Sequence, residues 1–441
     1  MRYWTGDNRK AVYNAGSLVA AMGINSALGF VYWWLAARQF PATAVGFASA
    51  AIAAMTLLGT LSTLGLGTLL LTELPRQPGH VAALIITALV AAGGTGSLFG
   101  AGYALVVPMI TPDLAPLRTD VGSVGLFALG TGLTAATLVL DQAVIGVLRG
   151  DVQFWRNVVF AVTKLLLLWG AVWWATDQLG LTIYATWVFG NGVSLLVLTG
   201  VVIQHHRKRV PVRPQWTLFR RLSRRALRHH LLNVSVQMTT LVLPVLVTTL
   251  LSAAMNAYFY TAAMMMSFVF VGPSALATVV QAVDINDPQA VTRRMRLSLA
   301  LALVIGVLLS GTTMLAAVPL LSIFGPDYAH YAAWPLRIFA LGVFPLIIRE
   351  HYLALCRMYG RTTQIVPYVI AAGLLKLGLA ALGASTNGLT GLALGSLCAA
   401  CIEAACMAPA LMQAVQHGGS GQRGAWAGRI HTAARTGGNG I

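Results

Sequence analysis

Twelve apolar stretches, each about as long as a helix that crosses a lipid bilayer, occupy most of this sequence. A helix needs about 20 apolar residues to cross roughly 30 Å of hydrocarbon. The predicted spans are 14–36, 44–71, 80–107, 121–148, 155–175, 179–203, 231–251, 254–283, 297–320, 334–356, 364–384 and 389–414. A mean hydropathy of +0.75 and a charged content of 9% agree with this pattern. The sequence therefore predicts an all-α polytopic membrane protein.

The basic residues are distributed unequally between the two sides of the predicted spans. With the N-terminus in the cytoplasm, 23 of the 29 Lys and Arg residues lie in cytoplasmic segments, and only Arg38 and Arg118 lie outside. Because Lys and Arg concentrate on the cytoplasmic side, we predict that both termini lie in the cytoplasm. Abundant Ala, Gly and Arg are typical of a GC-rich bacterial genome, so we expect the membrane to be the bacterial cytoplasmic membrane. The first span follows the polar segment MRYWTGDNRK without a small-residue cleavage site, so we expect a retained helix rather than a signal peptide.

Residues 204–230 read QHHRKRVPVRPQWTLFRRLSRRALRHH and lie between the sixth and seventh spans. In a soluble protein this charge would suggest a nucleic-acid-binding arm, but the low charged content excludes a soluble protein. Trp216, Phe219, Leu222 and Ala226 recur at helical spacing among arginines, which is typical of an amphipathic helix on an anionic membrane surface. We therefore expect residues 207–228 to bind anionic membrane lipids, and we expect no nucleic-acid partner.

The basic segment divides the chain into two sets of six predicted spans. We predict an N-terminal lobe at 1–203, a C-terminal lobe at 231–414 and a disordered cytoplasmic tail at 415–441. Shifting the second lobe back by 212 positions places Lys376 on Lys164 and Arg361 on Arg149. An even number of helices in each lobe predicts a parallel repeat about an axis along the membrane normal, an arrangement found in transporters.

Charged residues inside the predicted spans are the candidates for a functional site, because a Lys or Arg at a helix centre costs about 2.5–3.5 kcal/mol on insertion scales. Four basic and three acidic residues lie there, namely Lys164, Arg337, Arg349, Lys376, Asp141, Glu350 and Glu403, while Arg156, at the very start of the fifth span, is counted as cytoplasmic. The excess of basic residues suits an anionic substrate such as a phosphate or diphosphate. Glu403 is a candidate for coupling to H⁺ or Na⁺. We expect no cofactor and no metal ion.

Each membrane lysine also has a structural interpretation. At 1.5 Å per residue, Asp141 and Lys164 both lie roughly 12–15 Å from the inner surface, so they could form an ion pair. Glu350 could pair with Lys376 by the same geometry. Arg349 and Glu350 are adjacent in sequence, so we expect their side chains to point in different directions. The sequence leaves both interpretations open, a substrate-binding cation and a structural ion pair.

Residues 320–361, LLSIFGPDYAHYAAWPLRIFALGVFPLIIREHYLALCRMYGR, resemble the signature region of polysaccharide-repeat flippases of the multidrug/oligosaccharidyl-lipid/polysaccharide superfamily. The similar positions are Phe324, Gly325, Tyr328, Ala329, Leu336, Arg337, Pro345, Tyr352, Ala354 and Arg357. The segments LAARQFPATAVGFASAA and LDQAVIGVLRGDVQFWRNVVFAVTKL are also similar to this family. Their matched positions are Arg38, Gly46, Asp141, Arg156, Asn157 and Lys164.

The resemblance implies a MATE-like bundle, in which two six-helix lobes form a V around a central cavity. It implies a flippase that moves a polyprenyl-diphosphate-linked oligosaccharide from the inner to the outer leaflet, for lipopolysaccharide or other cell-surface polysaccharide synthesis. Other polysaccharide assembly proteins would be its partners. The anionic substrate would be bound by Lys164, Lys376, Arg337, Arg349 and Arg38. The coupling residues or charge partners would be Asp141, Glu350 and Glu403.

Three other classes of membrane protein are alternatives. A MATE-type multidrug or cation antiporter would share the fold, but cationic drugs need an acidic excess, opposite to the balance here. A polysaccharide polymerase or ligase would be expected to have a large outer loop with catalytic residues, whereas the longest predicted outer segments, 108–120 and 321–333, are short. A flippase for lipid-linked peptidoglycan precursors usually resembles a fourteen-helix protein. We therefore predict a transporter rather than an enzyme.

Overall fold

The computed structural model describes residues 26–76, 81–147, 150–174, 178–205, 237–281 and 287–417, together with Gly23 and Val234. These residues form α-helices, which are α1 (26–39), α2 (Ala42–Ser62), α3 (Leu66–Glu73), α4 (Val81–Val106), α5 (Val121–Gly146), α6 (Gly150–Trp174), α7 (Leu179–His205), α8 (Gln237–Leu250), α9 (Ala253–Val280), α10 (Pro288–Leu315), α11 (Ala317–Ser322), α12 (Pro326–Leu341), α13 (Val343–Met358) and α14 (Thr362–His417). The predicted lipid-binding segment 207–228 and the predicted tail beyond residue 417 lie outside the described residues.

The predicted all-α membrane fold is confirmed. Within the described ranges, eight helices are long and apolar enough to cross a membrane, or nine when the pair α12 and α13, bent by 42°, counts as one span. α14 contains the last two predicted spans. They are separated at Asn387 and Gly388, where the backbone angles are not helical. Helical residues occur within each of the twelve predicted stretches. The chain is an integral multi-pass membrane protein.

Several helix boundaries differ from the prediction, and two of them have unusual backbone angles. The stretch 44–71 is interrupted between α2 and α3, where Leu64 and Gly65 have φ angles of 48° and 78°. This left-handed region is unusual for a residue other than glycine. The outer segment 321–333 was predicted as a loop, but α12 already begins at Pro326, directly after Gly325 with a φ of 146°. Proline is well suited to the first position of a helix because its missing N–H needs no partner there.

Two compact units make up the chain, and the first contains residues 1–261 and 320–332. Within it, α4 packs against α5, α6 against α7, and α2 against both α5 and α7. One buried core of this unit consists of Leu66, Leu69, Leu70, Leu74, Leu84, Ala88, Ala92, Ala135, Val139 and Ala143. Small residues let α4 and α5 approach closely, since a Cβ on Gly96 would lie 3.0 Å from the Thr131 carbonyl oxygen. The division into lobes at 1–203 and 231–414 stays a prediction.

The beginning of α9 is fastened to α2 in the first unit. Gly46 approaches so closely that a Cβ on it would overlap the carbonyl oxygen of Ala253. Asn256 Nδ2 donates hydrogen bonds to the Gly46 carbonyl oxygen at 2.8 Å and to Ser49 Oγ at 2.9 Å. Asp113 Oδ2 accepts a hydrogen bond of 2.6 Å from the Ala253 N–H. Glycine at position 46 therefore makes room for the first turn of α9.

The second unit contains residues 262–319 and 333–441, of which the described part includes most of α9, α10 and α12 to α14. There α13 packs against α14, and α10 packs against both. His351 is fully buried, and its Nε2 lies 2.9 Å from Ser298 Oγ. Ser298 Oγ in turn donates to the Leu276 carbonyl oxygen at 2.9 Å. This chain of hydrogen bonds joins α13, α10 and α9.

Replacing Gly46 should destabilise the protein, because the new Cβ would overlap a backbone atom that moves only if α9 moves. We expect Gly46→Ala to lower the free energy of unfolding by about 1–3 kcal/mol, the usual cost of overpacking. The measurement is the melting temperature of the purified protein in detergent. Gly94→Ala is the matched control, since no atom lies within 4 Å of the corresponding Cβ on α4. Equal melting temperatures for the two variants would contradict the assigned contact.

Candidate functional site

Lys164 lies on α6 and is enclosed by aromatic rings. Only 2% of the residue is exposed. Its Nζ lies 3.9 Å from the centroid of the Trp187 ring, 4.6 Å from that of Phe160 and 5.2 Å from that of Tyr32. Lys164 forms no ion pair with any residue in the described part of the chain. Its ammonium group is therefore stabilised by the π faces of three rings rather than by a carboxylate.

The rings around Lys164 come from three helices and support one another. Phe160 lies one helical turn before Lys164 on α6, Tyr32 lies on α1, and Trp187 lies on α7. The Trp187 ring contacts Phe160 and Tyr32 edge-on, with centroid distances of 5.5 and 5.9 Å. The Tyr32 hydroxyl lies 2.7 Å from Thr186 Oγ1 and 3.0 Å from the Ile183 carbonyl oxygen, to which it donates. We call Tyr32, Phe160 and Trp187 the aromatic site.

Asp141 pairs with Arg156, not with Lys164, so that structural interpretation of Lys164 was wrong. Arg156 Nε and Nη2 donate to the two carboxylate oxygens of Asp141 at 2.9 and 2.7 Å. Arg156 Nη2 also lies 2.6 Å from Asn157 Oδ1. Arg156, which the charge asymmetry assigned to a cytoplasmic segment, lies within α6 and is 7% exposed. A guanidinium binds a carboxylate through two parallel hydrogen bonds, which a lysine cannot do.

A second group of charges lies on α13 and α14 in the second unit. Arg349 Nη1 lies 3.7 Å from Glu350 Oε1, and Arg349 Nε lies 3.2 Å from Glu403 Oε1 without hydrogen-bond geometry. Lys376 interacts electrostatically with Arg349 and Glu403, and it forms no ion pair with a described residue. The expected pair of Glu350 with Lys376 was therefore wrong. The expectation that Arg349 and Glu350 point apart was also wrong, because both side chains are long enough to meet.

Two predicted basic residues lie apart from these groups. Arg337, on α12, donates through Nε to the Met314 carbonyl oxygen at 3.2 Å, and its guanidinium carbon lies 5.0 Å from the centroid of the Trp334 ring. That hydrogen bond satisfies a carbonyl in the last turn of α10. Arg38 is exposed next to the C-terminal end of α1. Within the second unit the structure thus brings together Arg349, Glu350 and Glu403 with Lys376 beside them, but Arg337 does not join them.

Sequence reasoning missed the aromatic site entirely. Tyr32 and Trp187 are 155 positions apart, and both lie in apolar spans where aromatic residues are common. The available signal was Lys164 itself, because a lone lysine in hydrocarbon requires partners. Phe160, four residues earlier, was the one ring that helical spacing could have identified.

The sequence matches no protein-family model and no curated protein sequence. Solved structures with the same fold do exist. A multidrug resistance MATE family transporter of the MOP superfamily, in an inward-facing conformation, matches with a TM-score of 0.66 at 13% identity, over 91% of this chain and 99% of that one. The lipid II flippase MurJ, in an inward closed conformation, matches with a TM-score of 0.66 at 12% identity, over 90% of this chain and 89% of that one. At such identities the likeness is one of fold.

The Asp141–Arg156 pair should be strongly coupled energetically. Breaking a buried ion pair by removing one partner leaves the other charge uncompensated and typically costs about 3–5 kcal/mol. We expect Asp141→Asn and Arg156→Met each to lower the melting temperature markedly, and the double variant to recover part of the loss. Thermal unfolding of the four proteins in detergent gives the double-mutant cycle. Additive effects of the two substitutions would show that the residues do not interact.

Proposed function

We propose that this protein is an alternating-access flippase that moves a polyprenyl-diphosphate-linked sugar repeat from the inner to the outer leaflet of a bacterial cytoplasmic membrane. The observation that carries the proposal is the buried ammonium of Lys164, which has no carboxylate partner among the described residues. A buried amine favours an anionic ligand when it carries a proton, because the anion then compensates its charge. The fold agrees with it, since the lipid II flippase MurJ has the same fold.

The balance of charge in the second unit supports an anionic substrate as well. The predicted membrane spans of this unit hold three basic residues, Arg337, Arg349 and Lys376, and two acidic residues, Glu350 and Glu403. Arg349 and Lys376 are partly exposed. We assign the first contact with the diphosphate to these two side chains, the arginine through its planar fork and the lysine as a point charge.

Lys164 acts on the diphosphate differently in this proposal. Because its ammonium is enclosed by the aromatic site, direct contact would require the side chain to leave the rings. A charge in a low-dielectric interior acts over longer distances than one in water. We therefore propose that Lys164 attracts the anion at long range. We assign the coupling to H⁺ to Glu403, whose carboxylate lies beside Arg349.

The second candidate is a MATE-type exporter of cations. The observation in its favour is the aromatic site, because rings of this kind bind organic cations. The lysine in those rings argues against it, since a resident ammonium repels a second cation. An enzymatic role, such as that of a polymerase or ligase, has no comparable support from the described outer segments, which consist of short turns and helix ends at 107–118 and 320–332.

A polyprenyl diphosphate should raise the melting temperature of the wild-type protein in detergent. A ligand that binds only the folded state stabilises it by about 2.7 kcal/mol at a concentration a hundred times its Kd. We expect the stabilisation to be weakened in Lys376→Ala and abolished in Lys164→Ala/Lys376→Ala, which remove one and two positive charges. The neutral polyprenol of the same length is the control for the lipid tail.

Transport distinguishes the two candidates. Lys164→Ala/Lys376→Ala should lose flipping of the lipid-linked sugar in reconstituted vesicles while it is still produced and folded. Stabilisation of the wild type by tetraphenylphosphonium but not by the diphosphate would overturn the flippase proposal and favour the cation exporter.

A further inference from the structure

The aromatic site has the composition and geometry of a binding site for an organic cation. A cation is attracted by the face of an aromatic ring when it lies within about 6 Å of the ring centroid, and tryptophan is the best such ring. All three rings meet this distance, and Trp187 is nearest to Lys164 Nζ at 3.9 Å. We propose that Tyr32, Phe160 and Trp187 form a site for a small organic cation, and that Lys164 occupies it and thereby excludes external cations.

The rings are held in place without the help of Lys164. Tyr32 is fixed by its hydroxyl, which interacts with Thr186 and Ile183 on α7, and its ring lies edge-on to Trp33 at 5.4 Å. Trp187 lies against Phe160 and Tyr32 as described above. Removal of the lysine side chain therefore leaves the three faces in position, and a preformed site binds a ligand without the cost of ordering it.

No carboxylate among the described residues forms an ion pair with the ammonium of Lys164. Asp141, a carboxylate on the neighbouring helix α5, accepts two hydrogen bonds from Arg156 and forms no ion pair with Lys164. On α7 Lys164 lies against the Trp187 ring and Gly190, and on α1 it lies against the Tyr32 ring. The recognition of charge in this place depends on the rings, so a cation is attracted and a neutral molecule of the same size is not.

The volume that Lys164 fills defines the size of the cation. Lys164→Ala removes three methylene carbons and the ammonium nitrogen, which together are the heavy atoms of propylammonium. Gly190 closes one side of the site with backbone, because a Cβ there would lie 3.2 Å from Lys164 Cβ and 3.3 Å from Phe160 Cδ2. The vacated space therefore matches a primary alkylammonium of three carbons, without further room for a bulky drug.

Chemical rescue of Lys164→Ala by propylammonium tests the proposal. Melting temperatures are measured in detergent with increasing propylammonium chloride, with 1-propanol as the neutral molecule of the same size and NaCl at equal ionic strength. We expect a saturable rise in the melting temperature of Lys164→Ala with propylammonium alone, and no such rise for the wild type. Lys164→Ala/Trp187→Leu should lose the response, because the nearest ring is removed.

Lys376→Ala is the matched control, since it removes the other membrane lysine, whose neighbours are charged residues. A response of Lys376→Ala equal to that of Lys164→Ala would overturn the proposal, as would equal effects of propylammonium and 1-propanol. If Lys164→Ala gives no folded protein with or without propylammonium, Lys164→Ser is tested in the same way. Absence of rescue in both variants overturns the proposal.

The result is independent of the transported substrate. Propylammonium binding is measured without any diphosphate, and diphosphate binding is measured on the wild type without any amine. Failure of the rescue would leave the flippase proposal intact, whereas failure of the diphosphate to stabilise the wild type would leave the cation site intact.

Discussion

A charge in hydrocarbon needs a compensating partner. In the first unit, the carboxylate of Asp141 is the partner of Arg156, with which it forms two hydrogen bonds. Both carboxylate oxygens of Asp141 accept hydrogen bonds from the guanidinium. The carboxylate that we expected to pair with Lys164 therefore pairs with Arg156 instead. The lysine is stabilised by aromatic faces instead, which explains why three large rings from α1, α6 and α7 meet at one ammonium group.

In the second unit, the positive charge of Arg349 is compensated by two carboxylates. Arg349 lies between the carboxylates of Glu350 and Glu403, and Lys376 lies beside this group. The offset of 212 positions gives Lys164 and Lys376 the same place in the sequence repeat, but their surroundings differ completely. The two halves of a sequence repeat can therefore have a lysine at the same position but different groups around its ammonium. The two lysines are not chemically equivalent, and only Lys164 is enclosed by rings among the described residues.

The sequence predicted the positions of the helices well, but it predicted the partners of the charged residues poorly. Hydropathy identifies a span because burial in lipid acts on about 20 residues at once, whereas the turn at Leu64 depends on a single φ angle. The rise per residue placed Asp141 and Lys164 at similar depths, but depth says nothing about the direction in which each side chain points around its helix axis. Arg156, assigned to the cytoplasmic side, has a side chain long enough to reach Asp141 from the first turns of α6.

The candidate site was predictable in its charges but not in its rings. A buried lysine is conspicuous in a sequence with 9% charged residues, whereas Tyr32 and Trp187 are two aromatic residues among many. Their meeting depends on the packing of α1 against α7, which the tyrosine hydroxyl fixes through Thr186 and Ile183. Contacts of this kind join residues far apart in sequence, and no local pattern reports them.

The fold by itself does not decide between the two candidate functions. A fold does not determine the ligand, which depends on the groups placed at the site, and both a multidrug transporter and a lipid II flippase have the fold found here. Aromatic faces alone attract cations, but the same faces around a lysine present a buried positive charge. In the proposed site, Lys164 alone therefore reverses the sign of the charge that the rings favour, because such a charge acts strongly at low dielectric.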